Sequence, residues 1–315
     1  IVVADSNSAV ASFFLPEVHA RYHIPQCGDS HYIDSLTKLI EREKIQYHYS
    51  GLDEELPVLA SNKDRLINIG CYSLLPDAGP LRSVLDKYAM WECLRETIRM
   101  PTTFLLSEDA NRDYIYRELK GDVMFKATSL RGGRGVNLAR TRPEFDFYFS
   151  QCSQKSIKDG NRFIAQSYIV GDEYNVSTLH DKAGREIFAI SRRKFEDRIV
   201  KSTTTAAVIE YREDVIELAR MAIHESGLAI GFNNVEIIVD NNEDKPYLIE
   251  INGGRTAAQD LNLVASGINL TDLLLDILRG EAVAQIPHPP GGTVSLQFRT
   301  YLTTQYSQIE GIAKI

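Results

Sequence analysis

Apolar and polar positions alternate in short runs along this chain. The sharpest pair is Val235-Glu236-Ile237-Ile238-Val239-Asp240 and Tyr247-Leu248-Ile249-Glu250-Ile251-Asn252. The polar stretch Asn241-Asn242-Glu243-Asp244-Lys245-Pro246 between them predicts a β-hairpin. Val123 to Ala127 forms another strand-like run, and the run beginning at Phe163 breaks near Gly171 and resumes to Val176. Helical spacing marks Tyr32 to Lys44, Ser83 to about Ile98, Asp214 to Ser226 and Leu270 to Arg279. From Ile1 to about Pro80, short apolar strands alternate with helix-like stretches, the pattern of a parallel α/β sheet. The remainder divides, without a long linker, into a second region at 81–165 and a third at 166–315. No internal repeat is visible.

Composition narrows the function classes. The 315 residues can bury a sizeable core in two or three domains. With 35 Lys+Arg against 43 Asp+Glu, the net charge of −8 argues against nucleic acid, which calls for a basic face. The single Arg131-Gly132-Gly133 triplet does not reverse that reading. Cys27, Cys71, Cys93 and Cys152 show no paired spacing, so a reducing, cytoplasmic setting is expected. No apolar run reaches the roughly 18 residues of a membrane span. The chain opens on the strand-like Ile1-Val2-Val3-Ala4-Asp5 without an initiating Met, so a preceding segment is expected.

The hairpin carries the most chemistry. Alternation puts Glu250 and Asn252 on one strand face, and a paired strand can set Glu236 beside them. Two carboxylates and an amide oxygen suit Mg2+ (or Mn2+) completed by water and phosphate oxygens. The competing reading is an amphipathic hairpin with both acids facing solvent. Thr128 to Val136 contains Gly132, Gly133 and Gly135, which form either a phosphate-cradling loop or a tight turn. Lys126 stands just before it as a point charge. Arg192-Arg193-Lys194 is either a solvated face or a phosphate contact, with Arg193 and Lys194 the candidates. The acids of Ser50-Gly51-Leu52-Asp53-Glu54-Glu55 fit helix N-terminal charges or a ligand edge at a strand end. His19, His23 and Cys27 recur every four residues as if on one helix face, but Pro25 interrupts it and a structural role is favoured. No Gly-x-Ser-x-Gly elbow occurs, and the glycine loop lacks a Gly-Lys-Ser/Thr ending.

In this order the motifs resemble the ATP-grasp superfamily over nearly the whole chain, especially the branch similar to the large subunit of carbamoyl phosphate synthetase. The resemblance implies an α/β chain with a Rossmann-like pre-ATP-grasp domain at 1–80, followed by a two-subdomain α+β ATP-grasp fold with its lid at 81–165 and its carboxyl-terminal, metal-binding subdomain at 166–315. By the same resemblance, Lys87 opens the nucleotide-binding region, Lys126 contacts phosphate, and Gly132, Gly133 and Gly135 belong to the phosphate loop. Gln166, Ser167, Tyr168 and Ile169 match the hinge that reads adenine, and Glu173 matches the ribose-binding acid. Glu236, Glu250 and Asn252 match the metal ligands, and Arg255 the arginine that stabilises an acyl phosphate. This chain has Gln166 where many relatives have Glu, and Asn252-Gly253-Gly254-Arg255 where relatives show Asn-Pro-Arg, which moves Arg255 one position later.

The implied activity is ATP-dependent ligation of a carboxylate to an amine through an acyl phosphate, with release of ADP and phosphate. Small-molecule carboxylate and amine substrates are the expected partners, and a homodimer is an admissible assembly. Carbamoyl-phosphate-type phosphoryl transfer and a non-catalytic ATP-binding module are the alternatives within the family. A dinucleotide-dependent oxidoreductase lacks a Gly-x-Gly-x-x-Gly fingerprint in the visible chain.

Overall fold

The computed structural model of the chain describes residues 1–107, 109–130, 134–159, 162–195, 206–257, 260–296 and 312–314. At the amino terminus, strand β1 (Val2–Asp5) pairs in parallel with β2 (Ala20–His23), and β2 pairs in parallel with Ala313–Lys314 from the far end of the chain. Helix α1 (Tyr32–Glu43) buries Tyr32, Leu36, Leu39 and Ile40, the i, i+4, i+7, i+8 stripe of an amphipathic helix. It stops where Lys44 turns left-handed at φ 54°. Helices α2 (Leu56–Ser61) and α3 (Lys63–Asn68) follow. The helix face imagined for His19, His23 and Cys27 does not form. His23 ends β2, where alternation replaces helical spacing, and His19 Nδ1 meets the Ile1 amino group at 2.6 Å.

The single helix expected from Ser83 to Ile98 is two: α4 (Ala78–Leu85) and α5 (Lys87–Leu94). Asp86 breaks it. Its backbone is extended and its carboxylate caps α5 by accepting from the Tyr88 and Ala89 amides. Leu81, Val84, Met90 and Leu94 are buried in the same core cluster as Leu56, Leu248 and Ile251. The sequence set the lid region from Leu81, but apolar burial holds these two helices against the main body.

The lid sheet begins later. Strands β3 (Thr103–Leu105), β4 (Val123–Ala127), β5 (Asn137–Ala139) and β6 (Phe163–Ser167) form an antiparallel sheet in the order β3-β6-β4-β5. Helices α6 (Arg112–Leu119) and α7 (Arg142–Asp159) complete this layer, with Ile115, Leu119, Phe145 and Phe149 packed on Val123, Phe125 and Ala165.

A larger antiparallel sheet forms the body. Its strands are β7 (Gly171–His180), β8 (Glu186–Lys194), β9 (Ala206–Ile209), β10 (Gly231–Asp240), β11 (Pro246–Gly253) and β12 (Val294–Leu296), in the order β11-β10-β7-β8-β9-β12. Helix α8 (Glu213–Glu225) covers one face, burying Val215, Ile216, Ala219 and Ile223 with Tyr174, Val176, Val235 and Ile237. Helices α9 (Leu261–Ala265) and α10 (Leu270–Arg279) pack around Leu179, Phe188 and Ile190. No helix among the described residues is long and apolar enough to cross a membrane, and all four cysteines are free thiols.

Candidate functional site

The expected hairpin is β10–β11, and its register sets Glu236 opposite Glu250 and Asn234 opposite Asn252. A register shift after Glu236 leaves Ile249 as an extra residue in β11, so that Ile237 pairs with Leu248. Without this bulge Glu250 would share the face of Leu248, which is fully buried in the core. The bulge turns Glu250 to the other side. There β7 contributes Glu173, Asn175 and Ser177, and β8 contributes Arg192 and Lys194, by the same two-residue alternation. The result is a polar face on a sheet whose opposite face is the main apolar core.

Two lysines engage the hairpin acids. Lys194 Nζ lies 3.4 Å from Glu236 Oε2 and also donates to Glu173. Lys87, the first residue of α5, places Nζ 3.3 Å from Glu250 Oε1 and donates to the Leu130 carbonyl at 3.1 Å. Burial pushes the Glu236 carboxyl up, and the nearby charges of Glu173 and Glu250 add to the rise while Lys194 opposes it. For Lys194, burial pulls the ammonium down, but Glu236 and Glu173 outweigh it and the net shift is upward.

On the lid sheet, Lys126 of β4 donates to Gln166 Oε1 at 2.8 Å, and Gln166 Nε2 donates to Thr103 Oγ1 at 2.9 Å. An amide at 166 accepts from Lys126 without neutralising it. Gly135 closes the β4–β5 connection at φ 71°, its carbonyl accepting from the Ala127 amide; an added Cβ would stand 3.3 Å from the Ala127 Cβ. Gly132 and Gly133 lie outside the described residues. Ser167 ends β6, and Tyr168 and Ile169 link it to β7, which carries Glu173. Lid and body therefore meet at this segment.

Arg255 follows the hairpin and reaches the amino-terminal region. Its Nε and Nη2 donate to Asp53 Oδ1 and Oδ2 at 2.5 and 3.0 Å, and Nη2 also donates to Asn252 Oδ1 at 3.1 Å. Burial lowers the Arg255 pKa, but Asp53 outweighs it and the net shift is upward. The Thr256 amide donates to the Tyr49 hydroxyl at 3.0 Å. Two residues beyond Asp53, Glu55 accepts from the Tyr32 and Ser50 hydroxyls, and burial, with Asp5 nearby, pushes its carboxyl up to about 7.

Two profiles match the chain: an ATP-grasp domain over residues 84–258, and a PylC-like N-terminal domain over residues 1–74. The first spans more than half of the sequence. The chain belongs to the ATP-grasp family. Among curated proteins it is similar to Biotin carboxylase 1 of Bacillus subtilis, at 25% identity over 216 residues, covering 64% of this chain and 47% of that protein. It is similar also to the carbamoyl phosphate synthase large chain of Pyrococcus furiosus, at 22% identity over 180 residues, covering 54% of this chain and 17% of that one. It thus spans about half the length of the first relative and much less of the second. The crystal structure of an L-amino acid ligase from Bacillus licheniformis shares the fold, with a TM-score of 0.68 at 16% identity over 88% of this chain and 68% of that one.

In this ATP-grasp chain the hard oxygen set of Glu236, Glu250 and Asn252 fits Mg2+, which keeps water and phosphate ligands beside one or two carboxylates. Among the described residues no group of three or more His, Cys, Asp and Glu side chains is arranged to hold a metal ion by itself. Arg193 does not join the site. It projects from the opposite face of β8, where Nε donates to Glu210 Oε2 at 2.9 Å and the Tyr174 hydroxyl meets the same carboxylate. Adjacent strand residues cannot share a face, so the basic run divides into Arg192 and Lys194 on the site side and Arg193 away from it. That alternation was a signal for Arg192, which the sequence reading passed over. Asp53 carried only its strand-end position.

Proposed function

We propose that this chain carries the nucleotide-binding and acid-activating site of an ATP-dependent ligase that joins a small carboxylate to an amine. One observation supports it above the others. Lys87 of α5 and Lys194 of the body sheet engage Glu250 and Glu236 on the face that carries Asn252, while Lys126 of the lid sheet donates to Gln166, next to the segment that joins lid and body. Mg2+ held by those three oxygen ligands would neutralise phosphate charge. The lysines orient the triphosphate in line with the acid, and Glu173 and the 166–169 segment take ribose and adenine. A carboxylate oxygen attacks the γ-phosphorus as the bond to the ADP oxygen breaks, giving an acyl phosphate and ADP. The amine nitrogen then attacks the acyl carbon, phosphate leaves with the C–O electron pair, and the nitrogen loses its proton to solvent or phosphate. Arg255, fixed by Asp53 and Asn252, stands beside the metal ligands to stabilise charge on the acyl phosphate.

Pairs of amino acids and small carboxylates are to be screened for ADP release and for a product with the mass of the amide. Release of ADP that depends on both partners, with the amide mass, is the expected result. Calorimetry adds a stricter check: undetectable Mg-ATP binding together with tight NAD binding would overturn the reading.

A further inference from the structure

The most deeply buried cation in the described chain, Arg192, has no part in the steps above. Its side chain is 0% exposed and its partner Asp260 is 5% exposed, with Nη1 to Oδ1 at 2.6 Å. Nη1 also donates to Asn262 Oδ1 at 3.3 Å, while Nη2 donates to Asn175, to Ser177 and, at 3.4 Å, to Asn234. Two of these partners hold the backbone after β11. Asn234 Nδ2 donates to the Arg255 carbonyl at 3.2 Å. Asp260 Oδ2 accepts from the Ala257 amide at 2.7 Å, and Oδ1 accepts from Ser177 Oγ at 2.6 Å. A buried ion pair is a poor source of stability, since apolar side chains of equal volume do as well or better. This pair instead ties β7, β8 and β10 to the segment that carries Arg255.

We infer that Arg192 is a positioning residue for Arg255: through Asn234 and Asp260 it fixes the backbone from Arg255 to Ala257, and with it the place of the Arg255 guanidinium beside Asn252. The catalytic consequence rests on the ligase reading; the structural one does not. Asp53 holds the far end of Arg255 and Arg192 fixes its root, so the side chain is defined at both ends.

The test uses the whole chain and two variants. Arg192→Met alone would strand the Asp260 charge, so Arg192→Met/Asp260→Asn removes both charges together, and Arg192→Lys keeps the charge without the fork that reaches Asp260 and Asn234 at once. In ligand-free protein, amide exchange of the 255–257 segment should quicken by about tenfold or more in the double variant, and by less in Arg192→Lys, while α8 exchanges as before. Unchanged protection of 255–257 in the double variant overturns the inference. If that variant does not fold, unchanged protection in Arg192→Lys does the same. With an active acid and amine pair, ADP release should fall about as far as in Arg255→Ala, with Mg-ATP affinity within about threefold of the parent. Adding Arg255→Ala should bring no further loss, because both changes act on one group; additive losses would assign Arg192 a role apart from Arg255 and overturn the inference. Absence of Mg-ATP binding in the parent would sink the ligase reading alone, leaving amide exchange to decide the positioning role.

Discussion

Lys194→Met offers the most direct measure of the charge balance in the site. Lys194 is 6% exposed, between Glu173 at 12% and Glu236 at 28%, and its Nζ is 3.4 Å from Glu236 Oε2. At that separation an effective dielectric of about 20 gives an attraction of about 5 kcal/mol before desolvation is counted. Methionine matches the length and apolar stem of lysine but leaves two half-buried carboxylates facing each other. Removing one partner of a fully buried pair costs roughly 3–5 kcal/mol, and partial exposure of Glu236 brings the expectation to about 2–4 kcal/mol. For a chain of this size that is a fall of very roughly 4–10 °C in melting temperature. Thermal unfolding in chelator should show this fall. Added Mg2+ should recover more stability in the variant than in the parent, since an ion held by Glu236 would supply the missing positive charge. A melting temperature within about 1 °C of the parent in chelator would mean a solvent-screened pair, worth under about 1 kcal/mol, and would refute the reasoning.

Glu250→Gln keeps shape and removes one candidate ligand. ADP-forming turnover should fall by about a hundredfold with little change in melting temperature, and near-normal turnover in folded protein would remove Glu250 from the metal site. Glu55, raised to about 7 from 4.5, contributes stability that is complete below its unfolded value and lost as pH rises through its folded value, up to about 3 kcal/mol. The stability of Glu55→Gln relative to the parent should therefore climb between about pH 4.5 and 7 in denaturant melts, and a flat difference would contradict the assignment. His48, lowered to about 4 by burial, acts in the opposite sense, losing stability as pH falls, so the parent profile should be shallow over that range. In Gly171→Ala the new Cβ would lie 1.8 Å from the Val239 carbonyl oxygen, backbone against side chain across the β7–β10 pair. A loss of about 3 kcal/mol or more is expected from chemical denaturation, and a loss below about 1 kcal/mol would show that the strands can part cheaply.

Much of the site follows from local pattern, and what escaped it is mostly long-range. Alternation along β11 sets Glu250 and Asn252 on one face, but the bulge is what turns that face to the side of Glu236; strand β4 and helix α10 run where their apolar spacing indicates. The bulge at Ile249 was not legible, because the strand sequence reads as continuous alternation and only the pairing with β10 reveals the extra residue. Asp86 illustrates a different limit. Its competence as a helix cap shows in the sequence, but the break it makes between α4 and α5 depends on tertiary burial of Leu81 and Met90. Asp53 meets Arg255 across 202 residues of chain, a pairing that no local period encodes.

The two lysine contacts also bear on the order in which ligands enter. Glu173, Glu236 and Glu250 stand against Lys87 and Lys194, so among the described residues three carboxylates meet two ammonium groups. A divalent ion arriving alone must compete with both lysines for the same oxygens, and the displaced ammonium groups would then face it as like charges. A triphosphate changes the sum. Its oxygens would offer the lysines new partners while Glu236 and Glu250 were released to hold a metal ion, so metal and nucleotide should each strengthen the binding of the other. Free Mg2+ should accordingly bind weakly to the parent chain and more tightly once either lysine is replaced, while Mg-ATP affinity should move the other way. The same substitution thus separates a lysine that stands in for the metal from one that only holds phosphate, since loss of the latter would weaken Mg-ATP binding and leave free Mg2+ binding unchanged.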